Sequence, residues 1–315
     1  MGIKNLNKFL MDKCSSESII KKHLGIFNDK TIVIDTSIYL YKFMEDSNLI
    51  ENMYLLISIL LHYKITPIFV FDGKPPREKM EILAKRKIEK KEAEIKYNTL
   101  KQEIDIANQE EKTEIAIEMD KLKKQFVRIK REDIESVKTL MELYGVAFIE
   151  AEGEADQLCA EMVITKKAWA CLSDDMDLFV YGCTRVMRHF SLMNHTVVFY
   201  NINSILRELQ MPMNEFREVM ILSGTDYNIH QKITLYKAMK YYDEYNKESI
   251  TKTIQFYDWL ASKNIQTDQL REILPMFCVS KPDHEKSQHF TSVTKPKIKL
   301  PQLKEWLYNY GFVFI

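Results

Sequence analysis

The amino-acid sequence predicts an α/β fold: a central, mostly parallel, twisted sheet flanked by helices, with a helical insertion and a helical C-terminal region. Three observations lead there. Thr31-Ile32-Val33-Ile34, Ile68-Phe69-Val70-Phe71 and Trp169-Ala170-Cys171-Leu172 are short continuous apolar runs without polar alternation, which is how strands buried on both faces read. Helix-length segments separate such runs, as parallel crossovers require. Each run also leads into acid: Asp35, Asp72, and Asp175 with Asp177, while Val146-Ala147-Phe148-Ile149 leads to Glu152 and Glu154.

Open parallel sheets bind ligands outside the carboxyl ends of their strands, so these side chains are expected in one crevice. Gathered carboxylates repel one another unless a cation stands among them, which makes a metal site the expectation. Either acidic loop of the 145–177 stretch, taken alone, reads equally well as a solvated surface turn. Acids at the same end of paired strands favour the metal.

With 315 residues, 46% of them hydrophobic, the chain can form one large domain or a domain with an elaborate insertion. No apolar run reaches membrane-spanning length, and Met1-Gly2-Ile3-Lys4-Asn5-Leu6 lacks the apolar core of a secretory signal. Its Met-Gly start is a poor myristoylation site, because Leu6 stands where Ser or Thr is wanted. Five cysteines, odd in number and without paired zinc spacing, point to free thiols and an intracellular, reducing compartment. Forty-five basic residues balance forty-five acidic ones, so only local patterning can advertise nucleic acid.

In chain order, residues 1–76 form the first part of the α/β core. Residues 3–11 have helical spacing. Asp35 could equally cap the helix suggested by residues 37–43. Residues 49–63 read as a helix, and Gly73, Pro75 and Pro76 stop the strand that ends before Asp72. Residues 77–144 contain no Gly or Pro and read as two or three long helices, broken at Asn108-Gln109. The insertion proper, 77–131, has segregated charge. Residues 77–91 hold seven Lys or Arg against three Glu, residues 92–120 nine acids against three Lys, and residues 121–131 six bases and no acid. A solvated hairpin with Lys–Glu pairs along its faces is the plain reading. Both basic feet nevertheless adjoin the acid-bearing strand ends, where they could grip phosphates, although no aromatic interleaving supports base stacking.

Residues 132–226 complete the core. They comprise a helix over 132–144, the acidic strand-helix-strand unit, outer strands at Arg185-Val186-Met187-Arg188-His189 and Val197-Val198-Phe199-Tyr200, and helices over 203–209 and 212–222. The last helix runs into Ser223-Gly224-Thr225-Asp226-Tyr227, a seventh acid in a Gly-broken turn. His189 and His195 read as surface or core histidines, since no second His stands at ligand spacing. Residues 227–315 are expected to be helical. The Tyr- and Trp-rich stretch 241–280 suits core packing better than a stacking platform, and a last helix covers 301–310.

Met1-Gly2-Ile3, Val33-Ile34-Asp35, Phe71-Asp72-Gly73-Lys74-Pro75-Pro76, Leu83-Ala84-Lys85-Arg86, Glu152-Gly153-Glu154-Ala155, Asp175-Met176-Asp177, Met187-Arg188-His189 and Leu222-Ser223-Gly224-Thr225-Asp226-Tyr227 stand in register over nearly the whole chain. Together they resemble the flap endonuclease family of structure-specific 5′ nucleases. The resemblance implies a PIN-like sheet, a helical arch (77–131) over the active site, two Mg2+ ions replaceable by Mn2+, and hydrolysis of DNA one nucleotide inside a single-strand to duplex junction, in replication, repair or recombination. It implies that Asp35, Asp72 and Glu154 ligate one ion and Glu154, Asp175 and Asp177 the other, with Glu152 and Asp226 acting through water. Lys79 and Arg86 match the arch-base cations that face the scissile phosphate, Tyr41 the stacking aromatic, and Gly2 a position near substrate. Arg188 joins the expected DNA contacts. Asp156 and Asp174 match no ligand position and read as solvated neighbours.

Departures from the family pattern limit these expectations. The chain is shorter between Tyr41 and Tyr54, where relatives wedge the junction and accept a 3′ flap. Past Asp226 relatives carry a Gly-hydrophobic-Gly hairpin that binds duplex phosphates and potassium, whereas residues 228–238 contain no glycine. Duplex binding is therefore expected to rest on Lys232, Lys237 and Lys240. Residues 210–217 only approximate a sliding-clamp peptide, and no C-terminal clamp peptide is expected. The partner is branched, flapped or nicked DNA, with no membrane and a monomeric protein. A 5′ to 3′ exonuclease of the same superfamily is the near alternative, and a catalytically silent DNA-binding scaffold the distant one.

Overall fold

The computed structural model describes residues 2–104, 108–248, 254–279 and 297–314. Its first elements are α1 (Leu6–Lys13), β1 (Ile19–His23), β2 (Thr31–Asp35), α2 (Thr36–Glu45), α3 (Leu49–His62) and β3 (Thr66–Phe71). The insertion contributes α4 (Met80–Glu103) and α5 (Gln109–Gln125), followed by α6 (Arg131–Tyr144), β4 (Ala147–Glu150), α7 (Ala155–Ile164), β5 (Ala170–Leu172) and α8 (Asp177–Tyr181). Then come β6 (Arg185–Ser191), β7 (Thr196–Asn201), α9 (Ile202–Glu208), α10 (Met213–Leu222), α11 (Leu235–Glu248), α12 (Phe256–Ser262), α13 (Asp268–Ile273) and α14 (Leu300–Tyr308).

The apolar runs are the middle of one seven-stranded sheet in the order β1-β7-β6-β5-β2-β3-β4. The five strands β6-β5-β2-β3-β4 pair in parallel, while β7 and β1 are added antiparallel at one edge. From β2 the chain steps outward through β3 to β4, then returns to the other side of β2 as β5. The order therefore reverses between β2 and β5, and the ligand crevice of an open α/β sheet lies outside the carboxyl ends of such a pair.

Continuous apolarity is used on both faces. Val33, Ile68, Val70 and Cys171 pack toward α1, α7, α8 and α10, whereas Ile32, Ile34, Phe69, Phe71 and Leu172 pack toward α2, α3, α6 and α14. Phe69 is fully buried, so truncation to Ala would cost about 3–5 kcal/mol.

The α4–α5 hairpin breaks where the sequence predicts. Asn108 caps α5 by accepting from the Glu110 and Glu111 N–H groups, and Glu111 closes a capping box. Along the hairpin, Lys96 pairs with Glu118 and Arg128 with Glu94, and the Tyr97 ring meets Phe126 edge-on.

Two features differ from expectation. β1 is a strand the apolar pattern did not announce, because Lys21, Lys22 and His23 sit on the open sheet edge. The described C-terminal helices do not all pack on one face either. Helices α11–α13 join the face that holds α10, while Leu303 and Leu307 of α14 are buried on the opposite face beside α6 and α3. Among the described residues no helix is long and apolar enough to cross a membrane.

Candidate active site at the strand reversal

The acids arrive from five segments. Asp35 closes β2 and its Oδ2 accepts from Ser173 Oγ at 3.0 Å. Asp72 follows β3, and its Oδ1 accepts the Ala155 N–H at 2.8 Å, at the start of α7. Main-chain bonds lock the same two segments together: the Gly73 N–H donates to the Gly153 carbonyl at 2.7 Å and the Lys74 N–H to the Glu152 carbonyl at 3.2 Å. Gly73 is obligatory there, since a Cβ would lie 1.9 Å from the Ala151 carbonyl oxygen.

Glu154 stands at the N-cap of α7, Asp175 and Asp177 follow β5, and Asp226 lies in the turn after α10. The Asp175 N–H donates to Ser173 Oγ at 3.1 Å, and its Oδ1 accepts the Asp177 N–H at 3.0 Å. Gly2, at φ 75°, lies against this pair: a Cβ on it would be 2.5 Å from Asp177 Oδ1 and 2.6 Å from Asp175 Oδ1.

The foot of α4 reaches into the acids. Lys79 Nζ is 2.7 Å from Glu154 Oε1 and 3.9 Å from Asp226 Oδ2, and Arg86 Nη2 is 2.7 Å from the same Asp226 oxygen. Tyr41 is half exposed at the rim, with Lys90 Nζ 4.7 Å from its ring centre.

Burial pushes the Asp35 carboxyl up to about 8, and the charges of Asp72 and Asp175 add to it. Burial also raises Asp177, with Asp175 the largest neighbouring charge. For Lys79 burial works against the charge, but Asp156, Tyr227 and Glu154 outweigh it and hold the ammonium protonated.

Asp156 is the main correction to the sequence reading. Expected as a solvated neighbour, it is 7% exposed, and its carboxyl is raised first by burial and then by Asp175, Glu154 and Asp177, with Lys79 opposing. Glu152, expected to act through water, is exposed, and its carbonyl accepts the Lys74 N–H. The start of α7 decides between them. Glu154 occupies the N-cap position without its side chain capping the helix, and Asp156 falls in the first turn, within reach of the Lys79 and Glu154 charges. The signal was present in the sequence as an acid two residues after Glu154 at a helix start.

Arg188 is the second correction. It is buried, Nη1 donating to Asn7 Oδ1 at 2.6 Å and Nη2 to the Asp174 carbonyl at 2.9 Å, so it ties α1 to the loop after β5 rather than facing a phosphate. Asp174 is half-buried and accepts the His189 N–H at 2.7 Å. His195 Nδ1 lies 2.9 Å from the Tyr63 hydroxyl, away from the acids. Lys232, Lys237 and Lys240 are exposed. No residue from Tyr227 to Lys237 has positive φ, and Asn228 organises this turn by accepting from the Thr225 N–H and hydroxyl, both at 2.6 Å.

As placed, no three His, Cys, Asp or Glu side chains among the described residues close around a common point; Lys79 is shared by Glu154 and Asp226, and Arg86 pairs with Asp226. The donor set nevertheless fits a hard divalent cation. All its members are carboxylate oxygens, and Asp177 Oδ1 is buried without a hydrogen-bond partner.

Carboxylates gathered at a strand reversal, with the basic foot of a helical hairpin reaching into them, define an α/β protein of the nuclease-core class. The XPG N-terminal domain matches residues 1–93 and the XPG I-region residues 145–226. Flap endonuclease 1 of Leishmania braziliensis is 32% identical over 249 residues, which cover 72% of this chain and 60% of that protein. The chain belongs to the XPG and flap endonuclease family. It spans about 60% of the length of the curated relatives it matches. Among solved structures, the catalytic core of Rad2 in complex with DNA substrate superposes with TM-score 0.68 at 21% identity, covering 99% of this chain and 95% of that one. The Holliday junction-resolving enzyme GEN1, in complex with product DNA and Mg2+, gives TM-score 0.62 at 17% identity, covering 98% and 73%. At those identities the two structures bear on the fold alone.

Proposed function

We propose that this protein is a magnesium-dependent, structure-specific DNA nuclease that hydrolyses phosphodiester bonds beside single-strand to duplex junctions, acting as a 5′ flap endonuclease. The observation that carries this reading is the joint placement of the acid crevice and the two buried or half-buried cations at the foot of the hairpin. Family membership supports it, as does the relative named for flap cleavage.

Asp35, Asp72, Glu154, Asp156, Asp175, Asp177 and Asp226 together would hold two Mg2+ or Mn2+ ions. Asp156 takes the place that the sequence pattern gives to Glu152. Divalent cations held there would supply Lewis-acid activation of water and neutralisation of phosphate charge. The chain does the rest. The foot of the α4–α5 hairpin reaches into the crevice. Lys79 and Arg86, freed from Glu154 and Asp226, meet the scissile phosphate as its charge develops. Tyr41 offers a ring at the rim for the base beside that phosphate. Lys232, Lys237 and Lys240 hold duplex phosphates by counterion release, without the glycine hairpin of relatives. The clamp-like stretch is not free for a partner, since Phe216 is fully buried within α10.

Cleavage of end-labelled 5′ flap, nicked and blunt duplexes with Mg2+, Mn2+ or EDTA tests the proposal. Metal-dependent release of the flap as one fragment is expected. Stepwise release of mononucleotides from nicks and ends would instead make it an exonuclease, and DNA binding without cleavage a scaffold.

A further inference from the structure

Tyr227 is neither an acid nor a cation of the site, yet it touches one of each. Its hydroxyl donates to Glu154 Oε2 at 2.6 Å, the oxygen that Lys79 leaves free, and the face of its ring lies 4.9 Å from Lys79 Nζ. On its far side the ring meets Phe277 edge-on at 5.3 Å, and its hydroxyl lies 3.3 Å from that of Tyr181, which is itself 5.0 Å from Phe277. Phe277 belongs to the 3-10 turn that follows α13 and is fully buried. One side chain thus fixes a carboxylate, seats the cation that competes for it, and anchors both to the C-terminal helices.

We propose that Tyr227 is a positioning residue, which orients Glu154 for a divalent cation by hydrogen bonding and parks the Lys79 ammonium against its ring. This rests on the proposed metal-dependent nuclease. A tyrosine side chain suits both roles, because its O–H holds one carboxylate lone pair in a fixed direction while its ring attracts an ammonium without neutralising it. Removing an outer partner of a metal-binding carboxylate typically lowers metal affinity or activity about 10–100-fold. Tyr227→Phe keeps the ring, the Phe277 contact and the cation seat, and deletes only the hydrogen bond. Tyr227→Leu deletes the seat as well.

The experiment is calorimetric titration of the DNA-free protein with Mn2+, together with single-turnover cleavage of a 5′ flap and the thermal midpoint of each variant. For Tyr227→Phe we expect Mn2+ binding about 10-fold weaker, the cleavage rate at saturating DNA about 10-fold lower, and DNA affinity and thermal midpoint unchanged. Tyr227→Leu should lose further cleavage rate in the native background and none in the Lys79→Ala background, where no ammonium is left to seat. Mn2+ affinity and cleavage rate both at the native level in Tyr227→Phe would overturn the inference, as would losses that track a fall in thermal midpoint. Should the native protein cleave none of the DNA substrates, the nuclease reading fails, while the Mn2+ titration still decides the role of Tyr227.

Discussion

The foot and the shaft of the α4–α5 hairpin carry the same kinds of ion pair in opposite settings. At the foot, Lys79 is 7% exposed and shares Glu154, Asp226 and the Tyr227 ring, whereas along the shaft Lys96 meets Glu118 in open solvent at the same 2.7 Å. Identical distance does not mean identical consequence. An exposed pair exchanges hydration for a contact of almost equal free energy, but a buried cluster of charges is held only while every member has its partner. Burial of charge, rather than abundance of charge, separates the site from the scaffold. The hairpin's basic feet and acidic middle look equally conspicuous in sequence.

The sharpest test removes an acid at the centre. Asp175→Asn should lower the single-turnover rate by at least about 100-fold with DNA affinity retained, because a ligand is lost while carboxylate repulsion falls. Near-native turnover at saturating Mg2+ would place the chemistry elsewhere. Next comes the pair on either side of Glu154. Asp156→Asn should cost roughly 10–100-fold in rate or metal affinity, and Glu152→Gln less than about 2-fold; the reverse ranking would restore Glu152 to the site. Lys79→Ala and Arg86→Ala should each slow the chemical step roughly 10-fold or more while KM for DNA holds. If both lose only affinity, the foot merely grips phosphate.

A smaller effect concerns pH. In the folded, metal-free protein the Asp35 carboxyl is raised to about 8 from an ordinary 3.8, mainly by burial, and Asp156 and Asp177 are raised in the same direction. The folded state therefore binds more protons than the unfolded one between those values, and stability falls as pH rises. Thermal melts in EDTA should show a midpoint that drops from pH 5 to pH 8, and Mg2+ should remove most of that slope. A midpoint that climbs over the same range would contradict the buried, mutually repelling acids. The smallest effect belongs to the shaft, where Glu118→Ala should leave both cleavage rate and thermal midpoint unchanged.

Much of this was legible because it depends on local pattern. Short apolar runs bounded by turn signals, such as Thr31-Ile32-Val33-Ile34, read as strands buried on both faces, and acids at their ends share a crevice once the strands pair in parallel. The absence of Gly and Pro over residues 77–144 likewise announced the long helices. What escaped depends on where an element begins. Glu152 and Asp156 are both acids two residues from Glu154, and only the first turn of α7 brings one of them inward. Arg188 looked like a phosphate contact because a guanidinium is usually exposed, but Asn7 and the Asp174 carbonyl give it partners inside the fold. Strand β1 escaped because only Ile19 of its five residues is buried, so its sequence shows no alternation.

The bonds that join Gly73 to Gly153 and Lys74 to Glu152 have an evolutionary side. They set how far apart the β3 and α7 carboxylates stand, and they are written in main-chain atoms, which every residue type supplies alike. Around such a seam the sequence is free to drift, and a relative sharing 32% of its residues can keep the same ruler. The freedom ends at Gly73, where the neighbouring carbonyl already occupies the volume any side chain would need, so lineages that change everything nearby must still leave that one position bare.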